Sequence, residues 1–158
     1  MSAMPSSGVE RCYFRFSVNG ELSDRVVLQL DHQATPILSA KLVDLFRCGF
    51  FTGTSILAKR GESIIFQALG KEPSKNTFIA DVSHLKEQRG TVRFLVSEVR
   101  EKRAFCSKDL QIMLIERPNH HKFTTVFAVI VEGIGVCDTT CCLNLRFHQV
   151  SIGETGIV

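Results

Sequence analysis

Residues 12–30, CYFRFSVNGELSDRVVLQL, carry two alternating runs around a turn. Cys12, Phe14, Phe16 and Val18 alternate with Tyr13, Arg15 and Ser17, the period of two that marks a strand with one buried face. Asn19-Gly20 is a strong turn signal, and Val26, Leu28 and Leu30 resume the alternation, so the stretch reads as a β-hairpin. The period then changes. Thr35 is placed to cap a helix, Pro36 suits its first turn, and Leu38, Leu42, Leu45 and Phe46 fall on one face before Cys48-Gly49 stops it. Such an apolar stripe needs a sheet or barrel mouth to cover.

Six further strand-like runs follow, at 54–57, 63–69, 91–96, 110–115, 126–131 and 145–152, which with the hairpin make eight. In the last, Leu145 and Phe147 lie in one phase and Val150 and Ile152 in the other, which predicts a bulge near His148-Gln149. The stretch 133–143 reads either way: Ile134, Cys137 and Cys141 have helical spacing, yet Thr139, Thr140 and two adjacent cysteines are mediocre helix formers. The fold expected is mainly β, a closed eight-stranded antiparallel β-barrel capped by two helices. Residues 1–10, small and polar, read as a disordered leader or linker, and residues 11–158 as one domain.

The 158 residues are 44% hydrophobic and 22% charged, enough to bury a core unaided, with twelve Phe and no Trp to fill it. A net charge of +3 with the signs interspersed leaves no footprint for nucleic acid. No apolar run is long enough to span a bilayer, and the first residues lack signal-peptide features. Six cysteines in such a core-rich chain read as reduced thiols, and the expected location is cytoplasmic or nuclear.

Few motifs carry chemistry. Cys137, Cys141, Cys142 and His148 suggest zinc by type, but CxxxCC on a helix turns adjacent thiols about 100° apart and does not form a knuckle. No metal or other cofactor is expected. His120-His121 belongs to a polar loop, no GxSxG elbow supports a triad, and Gly70-Lys71 does not complete a phosphate loop. Arg100 to Arg103 reads as a solvated loop tip.

The order hairpin, helix, GFFTGTS (49–55), strand ending in Gln67, and VFAVIVEGIGVCD (126–138) resembles the cyclophilin family from about Cys12 to Val158. The resemblance implies a barrel with two capping helices and the rotation of X-Pro bonds. That barrier is about 18–20 kcal/mol, because amide resonance must be lost. A catalyst needs a donor, in this family an Arg, aimed at the prolyl nitrogen, and an apolar pocket for the ring. Aligned residue by residue, the family's catalytic Arg falls on Ala58, or on Lys59 or Arg60 if the register shifts. The pocket Phe becomes Met113, the Trp-Leu pair becomes Asn119-His120, and the closing His becomes Thr124. Gln67 is kept, Phe94-Leu95-Val96 replaces Met-Ala-Asn, and a long charged loop is expected over 97–109.

Losing one preorganised donor removes about a hundredfold to a thousandfold in rate. The expectation is therefore a catalytically inactive, monomeric cyclophilin-like domain that binds a protein or peptide partner. Its groove is expected at Gln67, Leu95, Val96, Gln111, Met113, Asn119, His120 and Thr124, with Arg100 to Lys108 as a second surface. Cyclosporin-type macrocycles are not expected to bind. A weak or narrow-specificity prolyl isomerase is the alternative, and an RNA-associated role a third.

Overall fold

A computed structural model describes residues 9–68, 77–116 and 123–158. The opening hairpin forms from β1 (Arg11–Val18), the two-residue β2 (Glu21–Leu22) and β3 (Val26–Leu30). Asn19 and Gly20 both adopt positive φ, at 51° and 87°, the backbone that a tight hairpin with right-handed strand twist requires. β1 then uses Arg11–Phe14 to pair with β3. Helix α1 (Pro36–Arg47) follows, burying Leu38, Leu42, Leu45 and Phe46. Thr35 occupies the N-cap position, but its hydroxyl makes no cap bond; it donates instead to the Asp31 carbonyl (2.7 Å).

β4 (Ile56–Lys59) and β5 (Ser63–Phe66) make the next hairpin, followed by β6 (Thr77–Asp81). The charged stretch expected as a loop over 97–109 is strand instead. β7 (Thr91–Arg100) and β8 (Arg103–Met113) form one long hairpin that turns at Glu101-Lys102, both at positive φ. Its mixed charges are a solvent-facing edge and tip, with β6 covering the other side of β8. β9 (Val126–Glu132) leads into α2 (Ile134–Cys141) and β10 (Val150–Ile157). The doubtful stretch is thus a helix, and its entry is fixed by packing. Gly133 sits at φ 90°, and a Cβ there would lie 2.5 Å from the Arg25 carbonyl oxygen.

The main strand path is β10-β1-β3-β9-β7-β8-β5-β4, all antiparallel, with β2 and β6 to the side. It curls into an open half-barrel, and not the closed barrel expected. Between the end strands β4 and β10 there is only an isolated bridge, Ser55 with Ser151, flanked by Gly53 and Thr54 bonding Ile152. The chain before β4 is spent on turns through Gly49 and Gly53, both at positive φ, so too little of it is extended to build a ladder. The last strand also begins later than expected, because residues 144–148 turn on Asn144. The bulge falls at Gly153, opposite the Arg15–Phe16 step, and not at His148-Gln149.

The core is aromatic, as the composition suggests. Phe14, Phe16, Phe51 and Phe66 pack edge to face, with ring centroids 4.8–6.4 Å apart. α1 lies over this cluster and delivers Phe46 to Phe51.

Candidate functional site

β7 and β9 run together for only three register positions, from Thr91 opposite Val129 to Arg93 opposite Val126. Beyond them the strands part. The residues before β9 turn away to bridge Ser83 through Thr124, while β7 continues into the long hairpin. The wedge left between them is a hollow of about 390 Å³. Val96, Val99 and Phe123 form its apolar wall, Thr124 and Thr125 its turn side, and Glu87 and Arg93 its charged side.

Arg93 was not singled out by the sequence, yet it is the cation at this hollow. Its side chain is 19% exposed and lies 3.2 Å from the Glu87 carboxylate, itself 16% exposed. Its Nε donates to Gln111 Oε1 at 2.8 Å, and Gln111 Nε2 donates onward to Ser63 Oγ at 3.1 Å. Three strands and the 82–90 segment are thereby tied through one guanidinium. A charge this shielded needs its carboxylate partner. The signal available beforehand was a lone Arg inside the apolar run TVRFLV, with a Glu six residues earlier.

The expected groove residues separate. Val96 and Thr124 line the hollow, and Gln111 reaches it through Arg93. Thr124, standing where the resemblance calls for His, spends its hydroxyl on the Leu85 carbonyl (2.7 Å), and the Thr125 hydroxyl is taken by the Phe94 carbonyl. Met113 is fully buried opposite Ser63 and does not line the hollow. Leu95 and Gln67 are half-buried, and neither lines the hollow. Asn119 and His120 lie outside the described residues.

The possible replacement donors of the β4–β5 hairpin point elsewhere. Ala58 packs against the core opposite Ile64. Lys59 is 67% exposed and pairs with Glu62 at 2.9 Å. Arg60 donates to the Cys142 carbonyl at 3.2 Å. Around α2, Cys137 and Cys141 are buried, Cys142 is exposed, and His148 bonds the Asn19 side chain. Among the described residues no three His, Cys, Asp or Glu side chains converge as a metal site would need. Burial pushes the Cys137 thiol up to about 12, as it does those of Cys12 and Cys106.

Solved structures match this arrangement over nearly all of its length. The Mimivirus cyclophilin superposes with a TM-score of 0.68 at 17% identity, covering 98% of this chain and 92% of that one. The fold is cyclophilin-like. The Cryptosporidium parvum cyclophilin-type peptidyl-prolyl cis-trans isomerase gives a TM-score of 0.72 at 16% identity, over 95% of this chain and 98% of its own. No protein-family model and no curated protein matches the sequence. In the cyclophilin-like frame, the hollow lies beside Thr124 and Val96, two positions that the resemblance assigned to the groove.

Proposed function

We propose that this cyclophilin-like domain holds an extended protein segment in the hollow beside β7, and that it turns over prolyl bonds little or not at all. The observation that carries this reading is the fixed guanidinium of Arg93, bonded by Glu87 and Gln111 at the side of an apolar hollow. An isomerase needs a donor aimed at the prolyl nitrogen, with its positive charge uncompensated, as the lone pair localises. Here two of the guanidinium's three nitrogens already have partners, one of them an anion that offsets the charge. The family's own donor position carries only the Ala58 methyl, and the closing His position carries a hydroxyl bonded to Leu85. What the hollow offers instead is apolar surface from Val96, Val99 and Phe123, suited to one apolar side chain of a bound segment.

Random dodecapeptides displayed on phage and selected on the full chain test this directly. The expected outcome is enriched peptides that bind the wild type and lose at least tenfold in affinity against Val96→Arg, which fills the hollow. Peptides that bind both proteins equally would place the working surface elsewhere.

The alternative is a slow prolyl isomerase, and one observation favours it: a guanidinium does stand beside an apolar hollow. In that case Arg93, from β7, takes over a role that the family gives to another strand. Catalysed rotation that disappears in Arg93→Ala would carry it.

A further inference from the structure

Where the half-barrel stays open, between the end strands β4 and β10, lies another hollow of about 410 Å³. Ser55 and Ser151 oppose each other across the isolated bridge, which puts both side chains on one face. His148 and Gln149 line the hollow beside them, and Leu145 and Val150 form its apolar side. The Ser55 and Ser151 hydroxyls and the Gln149 side-chain amide make no hydrogen bond among the described residues.

Asn19, His148 and a serine would suit an orienting amide, a base and a nucleophile, but the proton is on the wrong nitrogen. The Gln149 main-chain N–H donates to Asn19 Oδ1 at 2.9 Å, which turns the Asn19 amide so that Nδ2 faces His148 Nδ1, 3.1 Å away. An amide nitrogen only donates. His148 Nδ1 therefore accepts, and the neutral ring carries its proton on Nε2, on the side away from Asn19. His148 is thus a fixed hydrogen-bond donor and no base toward serine.

We propose that this hollow binds a neutral, hydroxyl-rich ligand, the pyranose ring of a glycan. No charged side chain lines it, so an ion would give up hydration there without a counter-charge. An apolar ligand would leave Ser55, Ser151, Gln149 and His148 Nε2 without partners. The apolar side is aliphatic, which gives a nucleobase no platform for stacking. A pyranose meets every demand. Its hydroxyls both donate and accept, as Ser55, Ser151 and Gln149 require; one oxygen accepts from His148 Nε2; and its C–H face packs on Leu145 and Val150. The site shares no residue with the hollow beside β7.

A few neutral hydrogen bonds in an open hollow hold such a ligand at about millimolar Kd. The probes are methyl glycosides of glucose, galactose, mannose and N-acetylglucosamine, titrated into the isotope-labelled full chain and followed by NMR. The expected result is a saturable shift of the Ser55, Gln149 and Ser151 amides with at least one glycoside. Gln149→Ala and Ser151→Ala, which leave the main chain in place, should each weaken it about threefold to tenfold. The ring nitrogens of His148 should show the Nε2–H tautomer in the free protein. No saturable shift with any glycoside, a proton on Nδ1, or equal affinity in wild type and both variants would overturn the proposal. Saturable shifts here with inorganic phosphate and none with a glycoside would give the hollow to an anion and overturn it as well.

Discussion

The wall under α1 and the wedge between β7 and β9 are built on opposite principles. Under α1, Phe14, Phe16, Phe51 and Phe66 meet edge to face and almost nothing polar intervenes. In the wedge, order comes from a chain of polar bonds, Glu87 to Arg93 to Gln111 to Ser63, beside apolar surface left uncovered. The first arrangement gains from excluding water and has no further use for a partner. The second fixes a shape, and it leaves Val96 and Val99 at 37% and 45% exposure to be covered by something else. The stabilising core and the proposed binding surface are thus separated in space, and the core can be disturbed without the hollow.

The sharpest contrast is chemical. Cys12, Cys106 and Cys137 lie in the core with thiols pushed up to about 12, whereas Cys48 and Cys142 are exposed. At pH 8 the native chain should lose two thiols quickly to an alkylating reagent. The three core thiols should react roughly a thousandfold more slowly, since the thiolate is the nucleophile. Mass spectrometry of the labelled peptides checks it; early labelling of Cys12 would mean the core is open.

Next, Phe66→Ala should lower unfolding free energy by about 3–5 kcal/mol, read from denaturant titration, because three ring contacts are lost at once. Peptide affinity at the hollow should be unchanged where the variant is still folded. Glu87→Gln should disturb both stability and binding. It leaves Arg93 shielded without its anion, costing about 1–3 kcal/mol, and weakens peptide binding because the side of the hollow is no longer fixed.

The smallest effect concerns the 82–90 segment itself. Arg89 holds both oxygens of Asp138 on α2, at 2.9 and 2.6 Å. That partner keeps the Asp138 carboxyl below the ordinary carboxylate range. A depressed carboxyl contributes stability above its unfolded pKa and loses it as pH falls through the folded value. Wild type should therefore exceed Asp138→Asn slightly in melting temperature at neutral pH, and the gap should close on acidification. A gap that stays constant with pH would mean the ion pair contributes nothing.

Much of the scaffold was legible because it rests on local periodicity. The alternation at 12–18, the Asn19-Gly20 turn, and the stripe of α1 from Pro36 to Cys48-Gly49 each follow from residues close in sequence. β6 was missed because its inward positions, half-buried Phe78 and buried Ala80, give only a two-point signal, one of them an Ala too small to register. The open edge was missed for a different reason: whether β4 meets β10 depends on how many residues between them remain extended, a tertiary matter. At the candidate site, aligning family positions pointed to Val96 and Thr124, which line the hollow. It could not find Arg93, whose meaning comes from Glu87 and Gln111 arriving from two other segments.

Whether Arg93 is a fixture or a donor decides the proposed function. The direct measurement is protease-coupled cis/trans relaxation of a panel of proline tetrapeptides, with wild type and Arg93→Ala side by side. A fixed Arg93 predicts relaxation at the uncatalysed rate for both. Acceleration by the wild type that is lost in Arg93→Ala would contradict it, and would make this hollow an isomerase site whose arginine comes from a different strand.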